Sequence, residues 1–252
     1  MLRTLDRIWF CPPAAAARAA AAEAADLIAP SWCVGCRAAG TDLCRSCSHD
    51  LRLLTRLPFR AEEPAASLPI LPDLTVLPVL SASRYRQLVA DAVLAFKDHE
   101  RIRLASVLAP ALGRAVAEAA QHCSAEELLM VWPPQRQRSH LVRGRHPLRE
   151  LVDQAMLPHQ VVPAGHLVRH RWQPGSLMGT SKGQKTRSQR GRRAAAESFA
   201  LAPGAEHLLR GSQVLLVDDV LTTGATLARL WRLLSEAGAE VPAAAVLAAT
   251  PR

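Results

Sequence analysis

Val214-Leu215-Leu216-Val217-Asp218-Asp219-Val220-Leu221-Thr222-Thr223-Gly224-Ala225-Thr226 is the stretch whose reading decides the fold class. Four consecutive branched residues, Val214 to Val217, suit a strand buried on both faces of a parallel sheet. The run ends in two adjacent carboxylates. Side chains alternate along a strand, so Asp218 and Asp219 are expected to leave its end pointing to different sides. Thr222 to Thr226 then turns the chain into a helix carrying Leu227, Leu230, Trp231 and Leu234 at i, i+3, i+4 and i+7. Backbone N–H groups of a Gly-containing loop at a helix N-terminus form an anion site, and the Thr hydroxyls add donors. Two carboxylates beside such a cradle suit a sugar phosphate, hydroxyls to the acids and phosphate to the loop. The plain alternative is a buried strand, an exposed Asp pair and an ordinary capped helix. A Walker B strand is excluded, because that reading needs G-x-x-x-x-G-K-[S/T] upstream and the chain contains no such string.

Downstream, Gly238 is a natural helix-ending residue, and Val241 to Ala249 reads as a last buried strand. Strand, loop, helix and strand make a βαβ unit, parallel and right-handed. Ligands of such sheets bind beyond the C-terminal strand ends, where Asp218 to Thr226 fall. Upstream, Leu128 to Trp132 predicts a short strand stopped by Pro133-Pro134, and Gln160 to Val162 a weaker one. Between them Pro147 is placed as a first-turn proline of a helix bearing Leu148, Leu151 and Val152. Two further amphipathic helices are expected. One carries Leu88, Val89, Ala92, Val93 and Phe96 and ends at Lys97-Asp98-His99; the other carries Leu104, Val107, Leu108, Leu112 and Val116. Lys97 lies just past an apolar stripe, where a cation is usually solvated.

The chain has 252 residues, enough for one α/β domain and a small appendage. Apolar residues make up 49 % and aromatics 4 %, with a net charge of +9. That charge favours polyanionic partners: phosphorylated metabolites, nucleic acid or an anionic membrane face. It is concentrated between Leu128 and Ala196, where thirteen Lys and Arg face two acids, Glu150 and Asp153, a local net of +11. The Gly/Ser/Thr/Gln-rich part of this block, residues 173–193, reads as a basic loop that contacts pyrophosphate or nucleic acid, or is simply a solvated surface. No apolar run approaches the ~18–20 residues of a membrane helix. The Ala-rich residues 14–26 are broken by Arg18, Glu23 and Asp26, unlike a signal peptide, so a cytoplasmic location is expected.

Cys33, Cys36, Cys44 and Cys47 form C-x2-C-x7-C-x2-C. Two C-x2-C knuckles complete a tetrahedral S4 site, so zinc is expected, and a closed S4 site is structural. Disulfides or free thiols are the alternatives, and disulfides fit a cytoplasmic chain poorly. Cys11 and Cys123 carry no expected role. The organisation read from these signals is a leader and Ala-rich helix over 1–30, a four-Cys zinc-ribbon-like module over 31–57, a Pro-rich linker over 58–78 and a parallel-sheet α/β domain with helices on both faces over 79–252.

The stretch 214–226 resembles the 13-residue phosphoribosyl-pyrophosphate (PRPP) signature of type I phosphoribosyltransferases. Taken with the cysteine knuckles and basic middle, residues 30–250 resemble the competence-protein ComF family, whose members include proteins tied to DNA uptake and others to gluconate utilisation. The resemblance implies a type I phosphoribosyltransferase fold and 5′-phosphate binding by Thr222, Thr223, Gly224, Ala225 and Thr226 beside Leu221. It implies ribose contacts from Asp218 and Asp219, pyrophosphate contacts from Lys97 and Arg143, and Mg²⁺ with the PRPP. Trp132-Pro133-Pro134 and Arg143-Gly144 match the family's strand end and Arg-Gly turn. Arg145-His146-Pro147 stands where the family has Phe-Asn-Gln, and Ala194 or Ala195 where it has Asn. Two functions follow as expectations. One is phosphoribosyl transfer with pyrophosphate release, with no residue identified as general base. The other is a non-catalytic module that binds nucleotide or single-stranded DNA for the DNA-uptake machinery, with Trp132 and Trp172 as the available stacking rings.

Overall fold

The computed structural model describes residues 31–98, 101–134, 145–171 and 199–251. The expected leader helix, Cys11, Arg143-Gly144, Trp172, the basic loop 173–193 and Ala194-Ala195 lie outside the described residues.

A six-stranded sheet runs β1 (Phe59–Arg60), β2 (Val79–Ser81), β8 (Glu240–Ala249), β7 (Gln213–Leu221), β3 (Leu128–Val131) and β4 (Val161–Pro163) from edge to edge. Every pairing is parallel except β1 with β2. β5 (Val168–His170) and β6 (Phe199–Leu201) pair separately as an antiparallel ribbon. The helices are α1 (Arg45–Leu54), α2 (Gln87–Asp98), α3 (Ala105–Ala120), α4 (Pro147–Gln154), α5 (Ala205–Leu209) and α6 (Ala225–Glu236).

Alternation along β7 divides the core. Leu215 and Val217 join the cluster built by α2, α3 and α4, which includes Phe96, Leu108, Leu112 and Leu151. Val214 and Leu216 join the opposite cluster, with Leu209 of α5 and Leu227, Leu230 and Leu234 of α6. Both faces of the sheet are thus covered, as continuous apolar strands require. The amphipathic stripes fall as expected: Val89, Ala92, Val93 and Phe96 on α2, and Leu104, Val107, Leu108, Leu112 and Val116 on and just before α3, are all buried. Pro147 occupies the first turn of α4, and His146 caps it by accepting the Arg149 N–H.

Two expectations are corrected. The acid pair does not leave the strand: β7 continues through Asp218 and Asp219 to Leu221. The reason is β8, ten residues long, which stays in register from Asp218 opposite Val246 to Leu221 opposite Ala249. The carboxylates therefore project from a paired ladder. β8 also carries Pro242, which cannot donate to a ladder. The register shift between Gln213 and Leu215 absorbs it, the usual use of a bulge.

The proline-rich segment 58–78, expected as a linker, is packed. β1 extends the sheet, the Ala61 N–H donates to the Val79 carbonyl at 2.9 Å, and Glu62 Oε1 accepts from the Val79 N–H at 2.7 Å. Ala61, Ala65, Leu68 and Leu77 are buried against the α6 side of the core. Prolines dictated irregular backbone here, but the spaced apolar residues decided that the backbone is held down. No described helix is long and apolar enough to cross a membrane.

Candidate functional site

The sheet brings its chemistry together at the C-terminal end of β7. Asp218 and Asp219 are half-buried, and Asp218 Oδ1 accepts the Asp219 N–H at 2.8 Å. Burial pushes the Asp218 carboxyl up to about 8, and the neighbouring Asp219 charge adds to the shift. Removing water from a carboxylate penalises its charged form, and a like charge alongside does the same.

The compensating cation comes from another element. Lys97, in the last turn of α2, places its Nζ 2.6 Å from Asp219 Oδ2, with the two side chains 31 % and 24 % exposed. Burial alone would lower the Lys97 ammonium, but Asp219, Asp218 and Asp98 together hold it above its ordinary value. A lysine that periodicity would leave in solvent is thus part of the acid-pair site.

The loop after the acids is shaped by Gly224. Its φ of +80° lies in the left-handed region, which costs residues with a Cβ about 1–2 kcal/mol. A Cβ there would also meet Leu68 Cδ2 at 2.7 Å. Leu68 belongs to the packed strap 58–78, and the strap's Ser67 N–H donates to the Thr223 carbonyl at 2.8 Å. Thr222 and Thr223 remain exposed. Thr223 Oγ1 accepts the Ala225 N–H at 3.4 Å, and the helical ladder begins with the Ala228 N–H to the Gly224 carbonyl. The amides of Thr226 and Leu227 precede that ladder and have no partner within the helix, the usual condition of a first turn. They and the Thr hydroxyls are the donors here that could hold an anion. Thr250 closes the strand end by donating to the Leu221 carbonyl through its N–H and hydroxyl, at 2.9 and 3.2 Å.

Two contributors were not evident from sequence. Tyr85, the single tyrosine of the chain, lies close enough to Lys97 and Asp219 to feel both charges. Burial raises its phenol, partly offset by Lys97 and reinforced by Asp219. Arg145 pairs with Glu150, donates from Nη1 to the Phe96 carbonyl at 3.0 Å and stacks over the Phe96 ring, 4.6 Å from its centroid. It therefore fixes the end of α2 one residue before Lys97. The contact is a cation held over a ring. Arg143, the other expected pyrophosphate residue, lies outside the described residues.

The cysteine knuckles form a second cluster. The four Sγ atoms of Cys33, Cys36, Cys44 and Cys47 lie within 4.8 Å of one another, and Cys36 and Cys44 Sγ are 3.6 Å apart. Zn–S bonds of ~2.3 Å place tetrahedral sulfurs about 3.8 Å apart, so the spacing fits a four-thiolate metal site. The described cysteines are free thiols. Backbone amides already point at sulfur: the Cys44 N–H donates to Cys33 Sγ at 3.4 Å and the Cys47 N–H to Cys44 Sγ at 3.5 Å. Although burial opposes it, hydrogen bonds from Cys44, Cys36, Gly35 and Cys47 bring the Cys33 thiol down to about 6. Burial and the neighbouring cysteines push Cys47 up to about 12. The packing leaves no room for a Cβ at Gly35, which would meet Cys47 Sγ and Leu88 Cδ1 at 2.7 Å. Leu88 is on α2, and Arg101 bonds both Asp42 Oδ1 at 2.8 Å and the Trp32 carbonyl at 2.6 Å. The module is docked on the sheet domain.

Comparison with known proteins agrees with this geometry. Residues 144–252 match the phosphoribosyl transferase domain family. An adenine phosphoribosyltransferase of Nocardia farcinica is 60 % identical over 45 residues, 18 % of this chain and 24 % of that protein. One of Mycobacterium avium is 56 % identical over 39 residues, 16 % of this chain and 22 % of that protein. The chain thus spans about a quarter of the length of the curated relatives it matches. The C-terminal part of the chain is similar to that domain family, on a mostly parallel sheet with helices on both faces.

Proposed function

We propose that the chain binds PRPP and transfers its phosphoribosyl group to an acceptor with release of pyrophosphate. The observation that carries this reading is the convergence, at the end of one central strand, of two carboxylates, a glycine-shaped helix start and the Lys97 ammonium. Asp218 and Asp219 would accept the ribose hydroxyls, and the loop from Leu221 to Thr226 would take the 5′-phosphate. In the reaction the bond from C1 to pyrophosphate breaks and one from C1 to the acceptor forms. Positive charge develops on the sugar and negative charge on the leaving group, so fixed cations at the pyrophosphate stabilise the transition state. Lys97 and Arg143 are those cations, Lys97 exchanging Asp219 for pyrophosphate as the ribose hydroxyls replace it on the carboxylate. Mg²⁺, a hard ion suited to oxygen ligands and phosphates, would be held beside Asp218 and Asp219 and would neutralise charge growing on the pyrophosphate. The likeness to adenine phosphoribosyltransferases makes a nucleobase the first acceptor class to test.

The four-Cys module over 31–57, docked on a sheet domain that already includes β1 and the strap 58–78, supports a ComF-type protein with one structural zinc. That reading carries a cytoplasmic role in DNA uptake or related metabolism. Calorimetry with PRPP and Mg²⁺ tests the pocket. The wild-type chain should give a saturable heat and Asp218→Asn/Asp219→Asn should not; equal heats from both would remove the proposal. Pyrophosphate release on adding nucleobases separates transfer from a retained pocket that only binds nucleotide or single-stranded DNA.

A further inference from the structure

A cavity of about 250 Å³ lies where the zinc-module helix α1 meets α3, away from the acid-pair site. His49 and Arg52 on α1, and Arg56 just beyond its end, project into it from one side, and Arg114 of α3 enters from the other. His49 and Arg52, three apart on α1, share one face, and Arg56 follows just after the helix end. Val107 and Pro110 contribute an apolar wall, and no acid lines the space. Arg114 is half-used: its Nε and Nη2 donate to the Thr55 carbonyl at 3.2 and 3.1 Å, holding the guanidinium at the cavity edge. Burial lowers the Arg114 guanidinium and the charge of Arg52 lowers it further. Arg114 is fixed and half-buried while Arg52 and Arg56 are exposed at the rim, so an anion entering the cleft meets three guanidiniums and no acid among the lining residues.

We propose that this cleft between the four-Cys module and the sheet domain binds a phosphate group, as a second anion site separate from the acid-pair pocket. Guanidinium forks match phosphate oxygens in pairs. The volume falls below the ~300–1,000 Å³ of pockets that enclose a whole ligand. The cleft therefore takes a compact anion, or the terminal phosphate of a larger molecule whose remainder lies outside. Occupation would tie α1 to α3 and couple phosphate level to the docking of the module.

The test is a titration of the zinc-loaded chain with inorganic pyrophosphate, read locally at the cleft so that binding at the acid-pair pocket does not register. The readout is the side-chain N–H resonances of Arg52, Arg56 and Arg114. Saturable shifts of all three are expected. Arg52→Ala/Arg56→Ala should weaken the response of Arg114 by roughly tenfold or more, since each lost charged hydrogen bond counts heavily. Both replaced side chains are exposed, so zinc content should be unchanged and serves as the check on folding. Adenosine monophosphate in a parallel arm distinguishes the source: tighter binding than pyrophosphate assigns a phosphate ester, weaker binding a free anion. Linear, non-saturating shifts, an unaltered response in the double variant, or preference for an oligonucleotide without terminal phosphates would each overturn the proposal.

Discussion

The cysteine cluster and the acid-pair site bring polar groups together in opposite ways. All four sulfurs come from fifteen consecutive residues, Cys33 to Cys47, and the local turns and backbone amides that gather them are contained in that stretch. The acid-pair site draws on the strand 213–221, on Lys97 more than a hundred residues earlier, and on the strap that lays Leu68 over Gly224. A closed cluster is a structural device that can be written in one motif. A site that must open to a ligand, and release one ion pair to form another, is assembled by the fold.

Breaking the cluster should have the largest effect. Structural zinc binds with an apparent ~10–16 kcal/mol at neutral pH. Cys33→Ser should therefore lose the metal, found as a fall from one zinc per chain by elemental analysis, with a large drop in melting temperature. Because the module is docked through Leu88 and Arg101, PRPP affinity should fall with it. Intact affinity in a zinc-free variant would show that the two regions are independent. The next largest effect is expected at Gly224, where Val would meet both the left-handed backbone and Leu68. Gly224→Val should cost about 2–4 kcal/mol in urea unfolding and abolish the PRPP heat. In a Gly224→Ala background, Leu68→Ala should recover only the steric part. Full recovery would mean that the backbone conformation is not a constraint.

What could be read in advance follows the same division. The periodicities at Val89 to Phe96 and Leu104 to Val116 placed helices correctly, because burial of one face is a local pattern with a global consequence. The turn into α6 was legible because Gly224 supplies the positive φ that the chain needs between the acids and the helix. The reach of β8 was not legible, so the acids were placed at a strand end rather than inside a ladder. The prolines of 58–78 concealed a packed strap, because composition reports irregular backbone whether or not it is held down. The pairing of Lys97 with Asp219 depends on how α2 lies against the sheet, which no spacing encodes. Tyr85 carried no signal beyond being the single tyrosine.

Asp218 tests the charge balance of the site. Its carboxyl is held near 8 against an ordinary 3.8, so between those values the folded chain holds a proton that the unfolded chain has lost. Stability therefore falls as pH rises through this window, and the cost is complete above it. An asparagine in place of this residue has no carboxyl proton to lose and would escape the cost. Asp218→Asn should match the wild type near pH 4 and exceed it by about 1–3 kcal/mol near pH 8. Parallel stability profiles would sink the assignment.

The smallest effect on stability is expected at Lys97, and it bears most directly on function. The pair with Asp219 is about a quarter to a third exposed, and such ion pairs contribute about 0–1 kcal/mol. Lys97→Met keeps the apolar stem packed and removes only the charge, so unfolding should shift by less than about 1 kcal/mol. PRPP affinity should fall far more, by roughly tenfold to a hundredfold, because a charged hydrogen bond to pyrophosphate is lost in a sheltered site. The ratio of the two losses decides the role of the residue. If Lys97 only neutralised Asp219, stability would suffer and the ligand would bind as before. If it waits on Asp219 to be handed to pyrophosphate, stability barely moves and binding collapses.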